Sequence, residues 1–498
     1  MQRQAGVLLH PTSLPNEQGI GTVGPEAERF LECMSAADFR LWQILPLCPT
    51  GYADSPYAGL SALGLNPMLV DLQSLAAEGL LRGEDIDSVP SADPSAVDFS
   101  SLPRWKSGVL RQAFGQFMCA SGAQTQLDEF QAANAGWLPD FALFMALKDA
   151  HGGVSWSDWE LPLRRRRPDA LARVAREHRD DIAFHVFLQL VLERQWSAVK
   201  ARAEQLGIAI VGDMPIFVAY DSADVWANQD LFRLDAAGDP EVVTGVPPDY
   251  FSATGQLWGN PHYRWEAMRE DGFRWWIERF RRLTDLVDII RLDHFRGFAA
   301  AWTVPFGNPT AEHGRWEPYP GGELLTAVEA ALGRLPIIAE DLGVITADVV
   351  ELRRQFEFPG MRILQFAFDD GPEDAGLPHN FERNTVVYTG THDNDTTRGW
   401  LESISSDTRA RIRDYLDSPH DPQAWDMIRL ALASVADTAV IPLQDLLNRG
   451  REARMNHPGT TQGNWRWRFR WEDLEPEILE HAHRLNVSFG RAEGAERA

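Results

Sequence analysis

The chain has 498 residues, 44% of them hydrophobic and 24% charged, with a net charge of -25 and a sequence pI of about 4.9. This composition is typical of a globular protein with a large core. The acidic surface disfavours nucleic acid and anionic membranes as partners, so a neutral or cationic ligand is favoured.

The three cysteines, Cys33, Cys48 and Cys119, are too few and too scattered for a disulfide framework or a zinc site. The chain opens with no basic and apolar leader, and no apolar run approaches the length of a membrane span. These observations predict a cytoplasmic chain without a membrane partner.

Eight short apolar runs predict eight strands. The runs cover residues 6–10, 41–46, 208–215, 286–290, 335–342, 361–366, 385–393 and 439–443. Helices are predicted between most of them, including 25–34, which begins at a proline, and 181–206, which ends at a glycine. Buried strands alternating with helices indicate a parallel sheet covered on both faces, and eight of them predict an α/β fold of the (β/α)₈ TIM-barrel type.

Two long segments interrupt the barrel pattern within a single catalytic domain that spans residues 1–498. Residues 71–206 predict a mostly helical insertion, and residues 215–285 predict a loop-rich one. Inside the second, the stretch 245–261 lacks periodicity but carries Tyr250, Phe251 and Trp258, which argues against disorder. We expect this stretch to form an active-site lid.

The segment Gly19-Ile20-Gly21-Thr22-Val23-Gly24 matches the G-x-G-x-x-G pattern of dinucleotide sites. Such a site needs the glycines directly after a strand and an acid at the end of the next strand. Here a proline-containing loop intervenes, and the next predicted strand ends in Pro46. A glycine turn before the helix at Pro25 is the better interpretation.

Acidic side chains end four of the predicted strands, namely Asp213, Asp293, Glu340 and Asp393. In a (β/α)₈ barrel the carboxyl ends of the strands surround one cavity. Arg291 precedes Asp293 by two residues, so strand alternation places both on one face, where the cation favours the ionised carboxylate. A lone pair of this kind is more often structural. Four acids at one cavity carry a desolvation cost that a structural site would not need, and two carboxylates suit glycosidic-bond chemistry.

Three motifs resemble the successive motifs of the α-amylase clan: Arg291-Leu292-Asp293-His294, Ala339-Glu340-Asp341-Leu342-Gly343 and Thr391-His392-Asp393. Further segments are similar to its 4-α-glucanotransferase branch, the amylomaltases of glycoside hydrolase family 77. These segments are residues 10–15, 54–57, 212–216, 245–261 and 463–465. The resemblance therefore covers nearly the whole chain.

The resemblance implies catalytic roles for three carboxylates. Asp293 would be the nucleophile, Glu340 the general acid/base, and Asp393 the carboxylate that orients substrate hydroxyls and stabilises the transition state. Asp341 and Asp395 are close in sequence to these residues, but the motif register favours Glu340 and Asp393, while strand alternation alone leaves the choice open.

A substrate-binding set is also implied by the resemblance. It comprises Tyr57, Ser55, Asp213, Gln256, Trp258, Arg291, His294, His392 and Asn464. Tyr57 would stack on the sugar at the cleavage point, and Trp258 would lie along the glucan. His294 and His392, supported by Asp213, would hydrogen-bond sugar hydroxyls.

The implied activity is transfer of an α-1,4-glucan segment to the 4-hydroxyl of glucose or another glucan, by a retaining double displacement, with cyclic glucans as a further product. The implied substrates are maltooligosaccharides, amylose and glycogen- or starch-derived glucans, handled by a monomer without metal or cofactor. The chain departs from the family at Pro103, where members carry a tyrosine shortly before a Trp-Lys pair. Glucan-length preference and cyclic-product size therefore do not follow from the resemblance.

One alternative remains open at this stage, an α-1,4-glucan hydrolase of the same clan, in which water replaces the acceptor sugar. A glucan-binding protein on a degenerate barrel is disfavoured, because all three carboxylates are present and such a protein would have no need of Glu340. Product analysis after incubation with maltotriose separates transfer from hydrolysis.

Overall fold

Eight parallel strands form the centre of the molecule in the computed structural model, which describes residues 3–90, 93–248 and 252–492. The strands are β1 Gln4–Leu8, β2 Leu41–Gln43, β3 Ala209–Pro215, β4 Ile289–Asp293, β5 Ile337–Ala339, β6 Gly360–Ile363, β7 Thr385–Tyr388 and β8 Thr438–Pro442. Each overlaps one of the eight apolar runs. The predicted (β/α)₈ barrel is therefore confirmed.

The strand ladder runs without a break from β6 through β7, β8, β1, β2, β3 and β4 to β5. The contact between β5 and β6 is weaker than between the other neighbours, and we call the region where these two strands meet the seam. There the N–H of Ala339 donates to the carbonyl of Pro359 at 2.9 Å, and the N–H of Met361 donates to the Asp341 carboxylate at 2.7 Å. The barrel is thus nearly closed, and the side chain of Asp341 helps to connect β5 to β6.

Strand alternation divides the core into an inner and an outer layer. On β7, Val386 and Tyr388 belong to the cluster inside the barrel, whereas Val387 packs in the larger cluster between strands and helices. The buried Tyr388 hydroxyl donates to Gln43 at 2.7 Å across the barrel interior. The barrel is therefore a filled core, and its open space lies at the strand ends.

The segment between β2 and β3 is mostly helical. Its helices are Leu72–Ala77, Gly83–Ile86, Leu102–Met118, Ala123–Ala133, Leu138–Ala150, Leu161–Arg164, Pro168–Glu177 and Arg179–Gln205. The 27-residue helix Arg179–Gln205 ends before Gly207, whose φ of +65° is readily accessible to glycine. Gln189 and Gln195 on this helix hydrogen-bond the backbone of Leu65 and Asp71, which fixes the segment to the loop after β2.

The remaining helices cover the outside of the barrel. They are Pro25–Ala36, Ala223–Ala227, Trp265–Glu270, Arg274–Leu286, Arg296–Ala299, Gly321–Leu332, Ala347–Gln355, Thr397–Ser403, Ser406–Tyr415, Ala424–Ala433, Leu443–Leu446 and Pro476–Ser488. Leu286 ends a helix, although the apolar run had placed it at the start of β4. A buried leucine that closes an amphipathic helix has the same local pattern as a strand residue.

A second sheet of four antiparallel strands lies outside the barrel. In spatial order the strands are Gln256–Pro261, Val242–Val246, Ala300–Pro305 and Arg315–Pro318. Parts of the stretch 245–261 therefore belong to this sheet: Gln256–Pro261 pairs with Val242–Val246, which in turn pairs with Ala300–Pro305 from the segment after β4. Tyr250 and Phe251 lie outside the described residues. Within the described ranges, no helix has the length and apolarity needed to cross a membrane.

Candidate active site

The carboxyl ends of four barrel strands carry the predicted acids. Asp213 lies in β3, Asp293 is the last residue of β4, Glu340 directly follows β5, and Asp393 lies in the loop after β7. Parallel strands place these ends on one side of the barrel. The side chains described below are therefore gathered at one opening.

Arg291 joins two of the acids. Its Nη1 donates to Asp213 Oδ2 at 2.6 Å and to Asp293 Oδ1 at 2.8 Å, and Arg291 stands opposite Asp213 in the β3–β4 register. Tyr57 also donates its hydroxyl to Asp213 Oδ2, at 2.8 Å. The Asp213 side chain is fully buried whereas that of Asp293 is 26% exposed, so Asp293 is held in a fixed orientation with access to the cavity.

Glu340 is a partly buried carboxyl bound by backbone groups. The N–H of His294 donates to its Oε2 at 2.6 Å, and the N–H of Leu342 donates to its Oε1 at 3.1 Å. Burial raises the pKa of Glu340 well above its ordinary value, opposed by the charge of Arg291 and reinforced by that of Asp293. A carboxyl with a raised pKa keeps its proton to a higher pH than an ordinary glutamic acid, which suits a general acid.

The backbone of His294 has a left-handed conformation, with φ of +51°. This conformation is unfavourable for a residue with a β-carbon, and such residues cluster at functional sites. Here it directs the N–H of His294 towards Glu340. His294, which follows the predicted nucleophile Asp293, therefore positions the predicted acid Glu340.

Asp393 is the most exposed of the four acids, with a side chain that is 49% accessible. Asn456 donates its Nδ2 to Asp393 Oδ1 at 2.6 Å, and Arg454 donates to the Asp393 carbonyl at 2.6 Å. Both come from the segment after β8, and the sequence analysis did not find them. The only local signal is a polar stretch, residues 456–460, between β8 and Trp465.

Aromatic rings surround the predicted sugar position. Tyr57 stacks on His392 with a centroid distance of 5.1 Å and an interplanar angle of 12°, and Trp465 lies tilted against both rings. Ser55 accepts the N–H of Tyr57 at 3.2 Å and caps the short turn that follows. Ser55 therefore helps to hold Tyr57 in place through this hydrogen bond.

Trp258 lies on the strand Gln256–Pro261 of the outer sheet and remains 38% exposed. Its ring meets the ring of His294 edge to face at 4.8 Å. Its Nε1–H donates to Gln256 Oε1 at 3.3 Å. The sheet thus brings Trp258 and Gln256 to the residue that follows Asp293.

Asn464 acts inside the loop that carries Asn456. Its Oδ1 accepts the N–H of His457 at 2.9 Å, and its Nδ2 donates to the carbonyl of Thr460 at 3.1 Å. The side chain is buried. Asn464 therefore shapes the loop beside Asp393 through bonds to the backbone of that loop and to the Thr460 hydroxyl, at 3.1 Å.

The two neighbouring acids are engaged elsewhere. Asp341 accepts the N–H of Met361 and forms an ion pair with Arg353 at 3.2 Å, while Asp395 pairs with Arg451 at 2.8 Å. These contacts give both acids structural partners. Across the described ranges, no three His, Cys, Asp or Glu side chains are grouped so that they could hold a metal ion.

Comparison with known proteins identifies the family. The family model described as 4-alpha-glucanotransferase, glycoside hydrolase family 77, matches residues 9–474. The chain belongs to this family. The predicted resemblance to glycoside hydrolase family 77 is therefore confirmed.

Relatives in this family match along their whole length. The 4-alpha-glucanotransferases of Thermus thermophilus and Synechocystis are each 48% identical, with coverage of 100% and 98% of this chain and 99% and 98% of theirs. The structure of amylomaltase from Streptococcus agalactiae in complex with acarbose matches with a TM-score of 0.97 at 38% identity, covering 99% of this chain and 100% of that one. The chain is a glucan-transferring enzyme, as predicted, and its reaction is transglycosylation on α-1,4-glucans.

Proposed function

We propose that the enzyme moves a segment of an α-1,4-glucan to the 4-hydroxyl of glucose or another glucan by a retaining double displacement. The observation that supports this most is the pairing of two unlike carboxyl groups. Asp293 is oriented by Arg291 at 2.8 Å and has access to the cavity, whereas Glu340 accepts two backbone N–H groups and has a raised pKa. Two carboxyl groups in unlike environments supply the nucleophile and the acid of a glycosidase-type reaction.

In the first step, a carboxylate oxygen of Asp293 attacks the anomeric carbon of the donor glucan. The glycosidic bond breaks, and Glu340 gives its proton to the departing 4-oxygen. A glycosyl ester of Asp293 results, while the released glucan fragment leaves.

In the second step, Glu340 takes the proton of an acceptor 4-hydroxyl, and that oxygen attacks the anomeric carbon. The ester bond to Asp293 breaks, and the product keeps the α configuration because two inversions cancel. Glu340 is protonated again at the end, so the cycle needs no outside acid.

Asp393, to which Asn456 donates a hydrogen bond, is the third carboxylate, and it binds sugar hydroxyls of the donor. His294 and His392 assist in neutral form, because burial lowers the pKa of His294 to about 4 and also lowers that of His392. A neutral imidazole hydrogen-bonds a hydroxyl without adding charge to the site. Maltooligosaccharides, amylose and glycogen- or starch-derived glucans are the proposed substrates. The cytoplasmic location, the monomeric state and the cyclic products stay predictions.

The stretch 245–261 is proposed to act as the lid that favours transfer over hydrolysis. Its strand Gln256–Pro261 places Trp258 against His294, beside the two reacting carboxyl groups. Transfer dominates when a bound acceptor is held in line and water is kept away from Glu340. The partly exposed indole offers a surface on which sugar rings can stack.

Incubation with pure maltotriose tests the proposal. We expect glucose together with a ladder of longer maltooligosaccharides, while the total number of reducing ends stays nearly constant. Each transfer breaks one glycosidic bond and makes another. Reducing ends that rise with every bond broken, without products longer than the starting sugar, would show hydrolysis and overturn the proposal.

A further inference from the structure

His10 lies just after β1 and has no part in the mechanism described above. Its side chain is only 7% exposed, and its Nδ1 has no hydrogen-bond partner among the described residues. A buried polar atom in this condition is destabilising unless something binds it. His10 belongs to the segment 10–15 of the family resemblance, which implies no role for it.

His392 presents the same condition on the other side of a shared cavity. It is 6% exposed, its Nδ1 also lacks a partner, and both histidines line a cavity of about 30 Å³. Among the described residues that line this cavity, these are the only buried side-chain nitrogen or oxygen atoms without a partner. A space above about 15 Å³ with polar groups on two sides suits one bound water.

The ionisation of the two rings fixes which nitrogen must accept. Burial lowers the pKa of His10 to about 3, with the neighbouring His392 as a further cause, and burial lowers the pKa of His392 as well. A neutral imidazole has one N–H and one bare nitrogen. Nε2 of His392 lies 3.5 Å from Asp393 Oδ2, and the negative charge of that carboxylate favours the tautomer with its proton on Nε2. The bare Nδ1 then needs a donor.

We propose that His10 is a positioning residue for glucan transfer, which acts on His392 through a water held in this cavity. The water donates one O–H to the Nδ1 of each histidine. This arrangement keeps His392 in the Nε2–H tautomer and holds its ring, already stacked on Tyr57, at the edge of the active site. The inference rests on the proposed function, in which His392 hydrogen-bonds a sugar hydroxyl.

Two substitutions of nearly equal size test the role of the polar atom. In His10→Asn the amide oxygen takes the place of Nδ1, whereas His10→Leu offers no acceptor to the water. We expect His10→Leu to lower kcat/KM for maltotriose about tenfold, mainly through kcat, because a hydrogen bond to the reacting sugar is weakened. His10→Asn should stay close to the wild type.

Equal kinetics of the two variants would overturn the proposal, whether both match the wild type or both fall together, since a purely structural role depends on packing. Asp293→Asn measured in the same assay tests the proposed mechanism separately. If that variant remains active, the mechanism fails. If it is inactive while His10→Leu equals the wild type, only the role of His10 fails.

A second measurement needs no variant of His10. The tautomer of His392 can be read in the wild-type enzyme by ¹⁵N NMR of labelled histidine, with its signals picked from those of the 13 histidines by comparison with His392→Asn. The expected signature is a protonated Nε2 and a bare, hydrogen-bonded Nδ1. A protonated Nδ1 in the wild type would overturn the proposal.

Discussion

Two opposing effects act on Glu340, and their balance decides what the residue can do. The N–H groups of His294 and Leu342 favour the carboxylate, as does the cation of Arg291, whereas burial and the charge of Asp293 favour the acid. Burial is the largest of these effects, so the pKa is raised. Asp293 makes its ion pair at the cavity wall and keeps part of its surface accessible. One opening thus holds two carboxyl groups in unlike environments.

Replacing Asp293 by asparagine should abolish turnover and leave the fold intact, because the cavity keeps its shape while the nucleophile is lost. We expect kcat for maltotriose to fall about a thousandfold or more. The control is Asp288→Asn, on the same segment at the opposite end of the barrel, where the carboxylate accepts the N–H of Ile210 and pairs with Lys200. That variant should keep kcat. An Asp293→Asn enzyme with more than a few per cent of wild-type activity would refute the assignment.

The pH dependence of the first step should follow Glu340. Its raised pKa means that the acid form persists to a higher pH than in an ordinary glutamic acid and is lost as the pH rises through that pKa, so kcat should fall on the alkaline side. Glu340→Gln should be inactive on maltotriose but still react with a glycosyl fluoride, whose leaving group needs no proton. That reaction should lack the alkaline fall. Equal loss on both donors would count against the acid role.

The sequence predicts those site residues that lie directly at strand ends. Arg291 and Asp293 follow from alternation on β4, because residues two apart share a face. Asn456 could not be found in this way. It reaches Asp393 from a loop 63 residues further along the chain, and no local pattern reports such a contact. The same holds for the backbone N–H of His294, whose direction depends on a left-handed φ.

Among the secondary-structure elements, the strands of the outer sheet could not be predicted from local sequence patterns as the barrel strands could. The strands Val242–Val246 and Gln256–Pro261 pair with each other, and the former also pairs with Ala300–Pro305 from beyond β4. The sequence of residues 245–261 lacks the regular alternation of a strand, so it resembled a loop. Barrel strands were easier to predict, because burial on both faces gives them continuous apolar runs.

Substitution of Trp258 tests whether this sheet contributes to glucan binding. Trp258→Ala should raise KM for long glucans more than for maltotriose, by about five- to 150-fold, since deleting an aromatic contact commonly costs about 1–3 kcal/mol. The control is Phe306→Ala, which removes another exposed ring, 53% accessible, next to the strand Ala300–Pro305 of the same sheet. It should leave KM unchanged. Loss of thermal stability in Trp258→Ala without any dependence on glucan length would show a packing role instead.

For the whole molecule, the weakest joint of the barrel is the seam between β5 and β6. Arg353, from the helix Ala347–Gln355, lies against this seam with a side chain that is 7% exposed. It pairs with Asp341 at 3.2 Å and donates to the carbonyl of Phe358 at 3.0 Å. Asp341 in turn accepts the N–H of Met361 at the start of β6. One guanidinium therefore connects the outer helix to both sides of the seam.

Removing that guanidinium should destabilise the barrel without changing its chemistry. Arg353→Met leaves the buried Asp341 carboxylate with the more distant Arg362, at 3.8 Å, as its cation. Because loss of one partner of a buried pair commonly costs about 3–5 kcal/mol when no other cation is near, we expect a smaller loss here. Urea unfolding followed by tryptophan fluorescence should show a lower midpoint, while KM for maltotriose at a temperature where the variant is folded stays that of the wild type. The matched control is Arg334→Met, whose ion pair with Glu357 is mostly exposed and is weakened by solvent. If both variants unfold at the same urea concentration, the seam does not depend on Arg353, and the backbone bond between Ala339 and Pro359 must suffice to close the barrel.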